Sequence, residues 1–163
     1  MSKICQAFNV HSLNSKQQFV GLECEIEAVK ATSNAFPGDV FSITEDGSLR
    51  NNGKEFISVP LTIPSALEGF KNLHASLQLG AVPFSERTSI HVHVDCTELS
   101  LQECRNVVLN YALFEEFFFL MVDPSRRHNI HCVPLTETYL PSLYKGSIQD
   151  MFGRWHKYTA FIS

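Results

Sequence analysis

From Phe19 the sequence FVGLECEIEAV alternates without a break, with Val20, Leu22, Cys24 and Ile26 on one face and Glu23, Glu25 and Glu27 on the other. That two-residue period predicts a half-buried strand. A second strand is predicted over roughly Asp39–Thr44, running into Glu45-Asp46-Gly47-Ser48, where Asp-Gly is a reversal signal. A third covers Lys54–Val59 and stops at Pro60. Pro64-Ser65 opens a helix with Ala66, Phe70, Leu73 and Leu77 at helical spacing and Gly80 as its stop. A fourth strand, Ser89–Asp95, sets Ile90, Val92 and Val94 against His91, His93 and Asp95. Ser100-Leu-Gln-Glu103 is a capping box for a long helix to about Val122, ended by Asp123-Pro124. A loop with Arg126-Arg127 follows, then a helical stretch near Pro141–Phe152 and a last strand over Arg154–Ile162. Residues 1–18 read as a polar lead-in to one domain spanning 19–163. Strands and helices mix without βαβ alternation, so the expected class is α+β with a largely antiparallel sheet.

Composition narrows the setting more than the chemistry. The chain of 163 residues is 44% hydrophobic and 18% charged, the balance of a globular protein with a core of its own. A formal net charge of −4 argues against a nucleic-acid partner. The most apolar stretch, Val107–Val122, contains Asn110, Glu115 and Glu116. A bilayer span needs about 20 largely uncharged residues, so a buried helix is expected there and no membrane partner. The opening lacks a sustained apolar run and does not read as a signal peptide. Five cysteines without a CxxC pair fit reduced thiols in a cytoplasmic protein.

Four groups of residues carry candidate chemistry. Glu23, Glu25 and Glu27 would repel one another by about 2 kcal/mol per neighbouring pair at an effective dielectric of 20. Either their face is wet and the row is a solvated surface, or it lines a cleft and a cation compensates. His91-Val-His93-Val-Asp95 suits a divalent metal or a phosphate, and equally an exposed histidine pair. Arg126-Arg127 suits phosphate, or solvates a loop. Glu55 shares a strand face with Ile57 and Val59, which predicts an inward carboxylate in need of a partner. Together these groups offer the oxygen, imidazole and guanidinium that Mg²⁺ or Mn²⁺ with a triphosphate needs. No P-loop of the GxxxxGK[ST] type is present in the sequence, so a nucleotide would lie on a sheet face.

Five motifs in order carry a family resemblance: Gly21-Leu-Glu23-Cys-Glu25, Asp46-Gly47-Ser48-Leu49, Gly53-Lys-Glu55-Phe-Ile-Ser-Val-Pro60-Leu61, His91-Val-His93-Val-Asp95 and Arg126-Arg127-His-Asn129-Ile-His-Cys132. Over about Phe19 to Ser163 the chain resembles the amidoligases, relatives of glutamine synthetase and glutamate–cysteine ligase. The resemblance implies a curved, mostly antiparallel sheet like the glutamine synthetase catalytic domain, with helices on its convex face and ATP and divalent metal on its concave face. It implies a ligase that phosphorylates a carboxylate and lets an amine displace phosphate to form an amide. On that basis Glu23, Glu25, Glu55 and His91 are expected metal ligands. His93 is expected on nucleotide or substrate, and Arg126 and Arg127 on phosphate. Asp46 and Ser48 match the family's loop without an assigned role.

Two departures accompany the resemblance. The family has a small residue, often Gly, before its HxH, whereas Ser89-Ile90 stands here and is expected to alter access. Relatives also continue past a similar arginine–tyrosine strand to a Glu-Phe-Arg strand and closing helices. The chain is therefore expected to hold the N-terminal part of the domain, truncated or split, with a second chain supplying the missing strand. Two other readings stay open: an inactive scaffold that binds a partner protein, and a metal-dependent hydrolase. The hydrolase pattern expects another His after HxHxD, where Cys96 stands.

Overall fold

The computed structural model describes residues 3–12, 18–129 and 132–135. The chain divides into two compact units, Ser15–Asp95 on one side and Met1–Asn14 with Cys96–Ser163 on the other. The helix expected near Pro141–Phe152 and the strand expected over Arg154–Ile162 lie outside the described residues. Among the described residues no helix is long and apolar enough to cross a membrane.

The unit Ser15–Asp95 is built around β1 (Phe19–Ile26), the alternating strand read from the sequence. Strand β7 (Ser89–Val94) runs antiparallel along one edge of β1. The other edge is shared by β4 (Lys54–Ser58) and the two-residue β5 (Leu61–Thr62), and β3 (Phe41–Thr44) lies outside β4. Every pairing is antiparallel, so the chain is α+β with a mostly antiparallel sheet. Helix α2 (Ile63–Ser76) is capped by Thr62, whose side chain accepts from the Ser65 amide, and it carries Pro in its first turn. It buries Ala66 and Leu73 with Val20, Leu22, Cys24, Ile26, Phe41 and Phe56 in one apolar core. That core occupies one face of the sheet, and Glu23, Glu25 and Glu55 lie on the alternate face.

The structure departs from the sequence reading in four places. The helix expected to run to Gly80 ends at Ser76, because Leu77–Leu79 is extended as β6 and pairs with β2 (Val29–Thr32). Strands β2 and β6 have no counterpart in the sequence reading. The alternation across β1 and β2 looks continuous, but Ala28 adopts a left-handed φ of 53° and separates them. The β3–β4 hairpin does reverse after Thr44, yet its left-handed residues are Asn51 and Asn52, not Gly47. Asparagine tolerates that region well, and Asp46 instead folds its carboxylate back onto the amide and hydroxyl of Ser48 at 2.8 Å. Finally, Glu55 does not sit on the core face. Phe56, 0% exposed, is the core residue of β4, while Ile57 is 36% exposed on the face opposite Phe56.

In the other unit the segment read as a lead-in carries α1 (Ile4–Phe8), whose Ile4 is buried with Cys104, Val108 and Leu135. Its amides at Ile4 and Cys5 donate to the carbonyls of Leu99 and Thr97, both at 2.9 Å. Helix α3 (Leu101–Phe119) begins at the predicted capping box of Ser100 and Glu103 and stops ahead of Asp123-Pro124. It is not buried along its length. Cys104, Val108 and Glu115 are its buried residues, whereas Leu113 is 77% exposed and Phe114 and Phe117 are exposed as well. Glu115, read as an interruption of an apolar run, is buried and accepts from the Leu135 amide at 2.5 Å.

Candidate metal centre

Antiparallel register decides which side chains meet. Glu25 stands opposite Glu55 of β4 and opposite Ser89 of β7. Glu23, two residues earlier and on the same face, stands opposite Ile57 and His91. Gly21 stands opposite His93, and Thr44 of β3 opposite Glu55. Four strands thus place a row of Thr44, Glu55, Glu25 and Ser89 beside a row containing Glu23 and His91, on the face away from the apolar core.

Two groups of ligand atoms result, each with all its atoms within 4.8 Å of one another: Glu23, Glu25 and Glu55, and Glu23, His91 and His93. Glu23 belongs to both. His91 Nδ1 lies 2.7 Å from Glu23 Oε1, and His93 Nε2 lies 3.2 Å from Glu23 Oε2. Thr44 Oγ1 donates to Glu55 Oε2 at 2.7 Å. Ser89 Oγ donates to Glu25 Oε2 and lies 2.8 Å from His91 Nε2.

The carboxylates do not share their charge evenly. Two full negative charges no more than 4.8 Å apart repel by about 3 kcal/mol or more at an effective dielectric of 20. Burial raises the Glu23 pKa, but a hydrogen bond from Glu55, the charge of His91 and hydrogen bonds from both imidazoles outweigh it and leave Glu23 below the usual glutamate value. Glu55 is shifted the other way. The Thr44 hydroxyl favours its ionised form, yet burial together with the hydrogen bond to Glu23 and the negative charges of Glu23 and Asp46 raises it above the usual value. A proton held by Glu55 and donated to Glu23 therefore relieves the repulsion. A divalent cation would offer the same relief more completely, and three carboxylates and two imidazoles are donors that could hold one.

Of the residues read from the sequence, Glu23, Glu25, Glu55, His91 and His93 come together on this face. Glu27 does not join them. Strand β1 ends at Ile26, and Glu27 turns into the protein, 3% exposed, to accept from the Arg50 amide at 2.7 Å. A family model described as "putative amidoligase enzyme" matches residues 11–161. The chain belongs to the amidoligase family. No curated protein and no solved structure matches it.

Arg126 and Arg127 lie in the unit that contains α3, in a 3-10 turn over Pro124–His128 where a loop was expected. Asp123 caps that turn by accepting from the Ser125 amide at 2.9 Å. Arg127 forms a two-pronged ion pair with Glu116 and stacks over the Phe119 ring. Arg126 Nη1 lies 3.7 Å from Cys132 Sγ. Register separates the two residues, Ser89 and Ile90, that were expected to alter access. Ile90 stands opposite Cys24 on the other face of the sheet, whereas Ser89 is hydrogen-bonded within the centre. The sequence reading also missed Thr44. Its signal was the alternation of β3 itself, which puts Ser42 and Thr44 on the face of Glu55.

Proposed function

We propose that this amidoligase chain is an ATP- and Mg²⁺-dependent carboxylate–amine ligase, with the sheet built as in the glutamine synthetase catalytic domain. The γ-phosphoryl group of ATP would pass to a substrate carboxylate, giving ADP and an acyl-phosphate. An amine would then attack the acyl carbon, form the C–N bond, expel phosphate and lose a proton. The single observation that carries this reading is the sharing of Glu23 by two adjacent ligand groups on one sheet face.

In this reading Glu23, Glu25 and Glu55 hold one divalent ion, and Glu23 with His91 and His93 holds a second. When bound, such ions neutralise charge on the transferring phosphoryl group. The chain's own part is to keep three carboxylates facing one point with Thr44 and Ser89 fixing two of them. His93, whose side chain is 47% exposed, is the imidazole best placed to reach nucleotide or substrate. Arg126 and Arg127 are proposed phosphate ligands on the family resemblance, and Arg127 would have to exchange Glu116 for phosphate. The five cysteines, none of them in a disulfide, suit a cytoplasmic setting.

The test is binding. Mn²⁺ together with a non-hydrolysable ATP analogue should bind the full chain, and Glu25→Ala should weaken Mn²⁺ at least tenfold, measured by calorimetry. Wild-type protein that takes up neither ligand would exclude the ligase. A second reading, an inactive scaffold for a protein partner, is favoured by the exposed apolar side chains of α3. It predicts no nucleotide binding and a stoichiometric protein partner.

A further inference from the structure

Ser89 has no ligand role in the proposed centre, yet it touches two residues that do. Its hydroxyl donates to Glu25 Oε2, and its oxygen lies 2.8 Å from His91 Nε2. A serine hydroxyl has one proton and two lone pairs. With the proton given to Glu25, the oxygen accepts from Nε2–H of His91. Nδ1, 2.7 Å from Glu23 Oε1, then carries the hydrogen bond to Glu23, and its proton is the one that a cation beside Glu23 would displace.

We infer that Ser89 is a positioning residue that selects the ligating nitrogen of His91 and fixes the carboxylate of Glu25, thereby tying the two ligand groups together. The inference rests on the metal-binding reading above. Its physical basis is the need of a ligating imidazole for a partner on its other nitrogen, and of a ligating carboxylate for hydrogen bonds of its own; losing such a partner costs about 10- to 100-fold in metal affinity. Ser89 supplies both with one hydroxyl because the register sets it directly opposite Glu25 and two residues from His91 on one face of β7. Of the two ligand groups, Glu23, Glu25 and Glu55 would lose an oriented carboxylate and Glu23, His91 and His93 an oriented imidazole. Both ions are therefore affected by one substitution outside the ligand set.

The experiment is a titration of the full chain with Mn²⁺ alone, followed by electron paramagnetic resonance. Wild-type protein is expected to bind two ions. Ser89→Ala is expected to weaken both by about 10- to 100-fold. Ser89→Thr keeps the hydroxyl on a side chain that suits a strand and is expected to restore both to within a few fold. Ser89→Ala binding as tightly as wild type overturns the inference and leaves the metal centre standing. Equal losses in Ser89→Ala and Ser89→Thr also overturn it, since the hydroxyl is then not what matters. Wild-type protein that binds no Mn²⁺ overturns the metal reading and this inference with it.

Discussion

Glu23→Gln is expected to abolish cation binding at both ligand groups at once, weakening Mn²⁺ by roughly a thousandfold or more, worth about 4 kcal/mol. Glu23 is the residue common to the two groups. Its two oxygens are divided between the imidazoles, Oε1 toward His91 and Oε2 toward His93. It is also the carboxylate held below its usual pKa, so on raising the pH it ionises before Glu55, whose pKa is raised. Glutamine has nearly the same shape but no charge, and its amide N–H presents a donor where a cation needs a lone pair. The other substitutions each remove a ligand from one group only. The control is Glu27→Gln, one residue past β1, which changes a buried carboxylate outside both groups and should leave Mn²⁺ affinity unchanged. Calorimetry on the two variants decides the matter. An ion still binding at wild-type strength in Glu23→Gln would mean that the groups do not share this carboxylate.

Much of this centre was legible because a strand's two-residue period is a geometric rule. Once FVGLECEI is read as a strand, Glu23 and Glu25 must share a face, and once SIHVHV is read as one, His91 and His93 must too. The pairing of those strands was not legible, since nothing local says that Glu25 stands opposite Glu55 and Ser89. That is a property of register, set by how far the apolar set of β1 slides along its neighbours. Glu27 was misplaced for a related reason. Alternation continues in the sequence through Val29, while the backbone turns at Ala28, and a left-handed alanine carries no compositional signal. The inward orientation expected of Glu55 failed because Ile57 and Val59 looked like a core stripe. Phe56 alone outweighs them, fully buried in the core that also holds Ala66 and Leu73 of α2. In α3 an apolar composition suggested burial that its unit supplies only at Cys104, Val108 and Glu115.

Glu55→Gln should separate stability from function. Glu55 has a raised pKa in the folded chain, so the fold binds its proton more tightly than the unfolded chain does. The stabilisation from that proton is complete below the ordinary glutamate value and is lost as pH rises through the raised one. At neutral pH the ionised Glu55 therefore opposes folding. Glutamine imitates the protonated side chain, with an oxygen for the Thr44 hydroxyl and an N–H for Glu23. The variant should melt about 1–3 °C above wild type at pH 7, a gain kept small by solvent screening of a partly exposed group. The advantage should shrink toward zero as pH falls below 4.5, the ordinary glutamate value. Glu23 contributes with the opposite sign, since its lowered pKa adds stability above the ordinary value that is lost as pH falls. Metal binding should respond in reverse. Removing a charged oxygen ligand from the Glu23, Glu25 and Glu55 group should weaken Mn²⁺ there by about 100-fold. In wild type the ion must displace the Glu55 proton, so affinity should fall as pH drops through its raised pKa. Thermal melts and Mn²⁺ titrations across pH 4–8 measure both quantities. A Glu55→Gln chain that melts below wild type at pH 7, or that binds Mn²⁺ at wild-type strength, would mean that repulsion between Glu55 and Glu23 is not what the cation relieves.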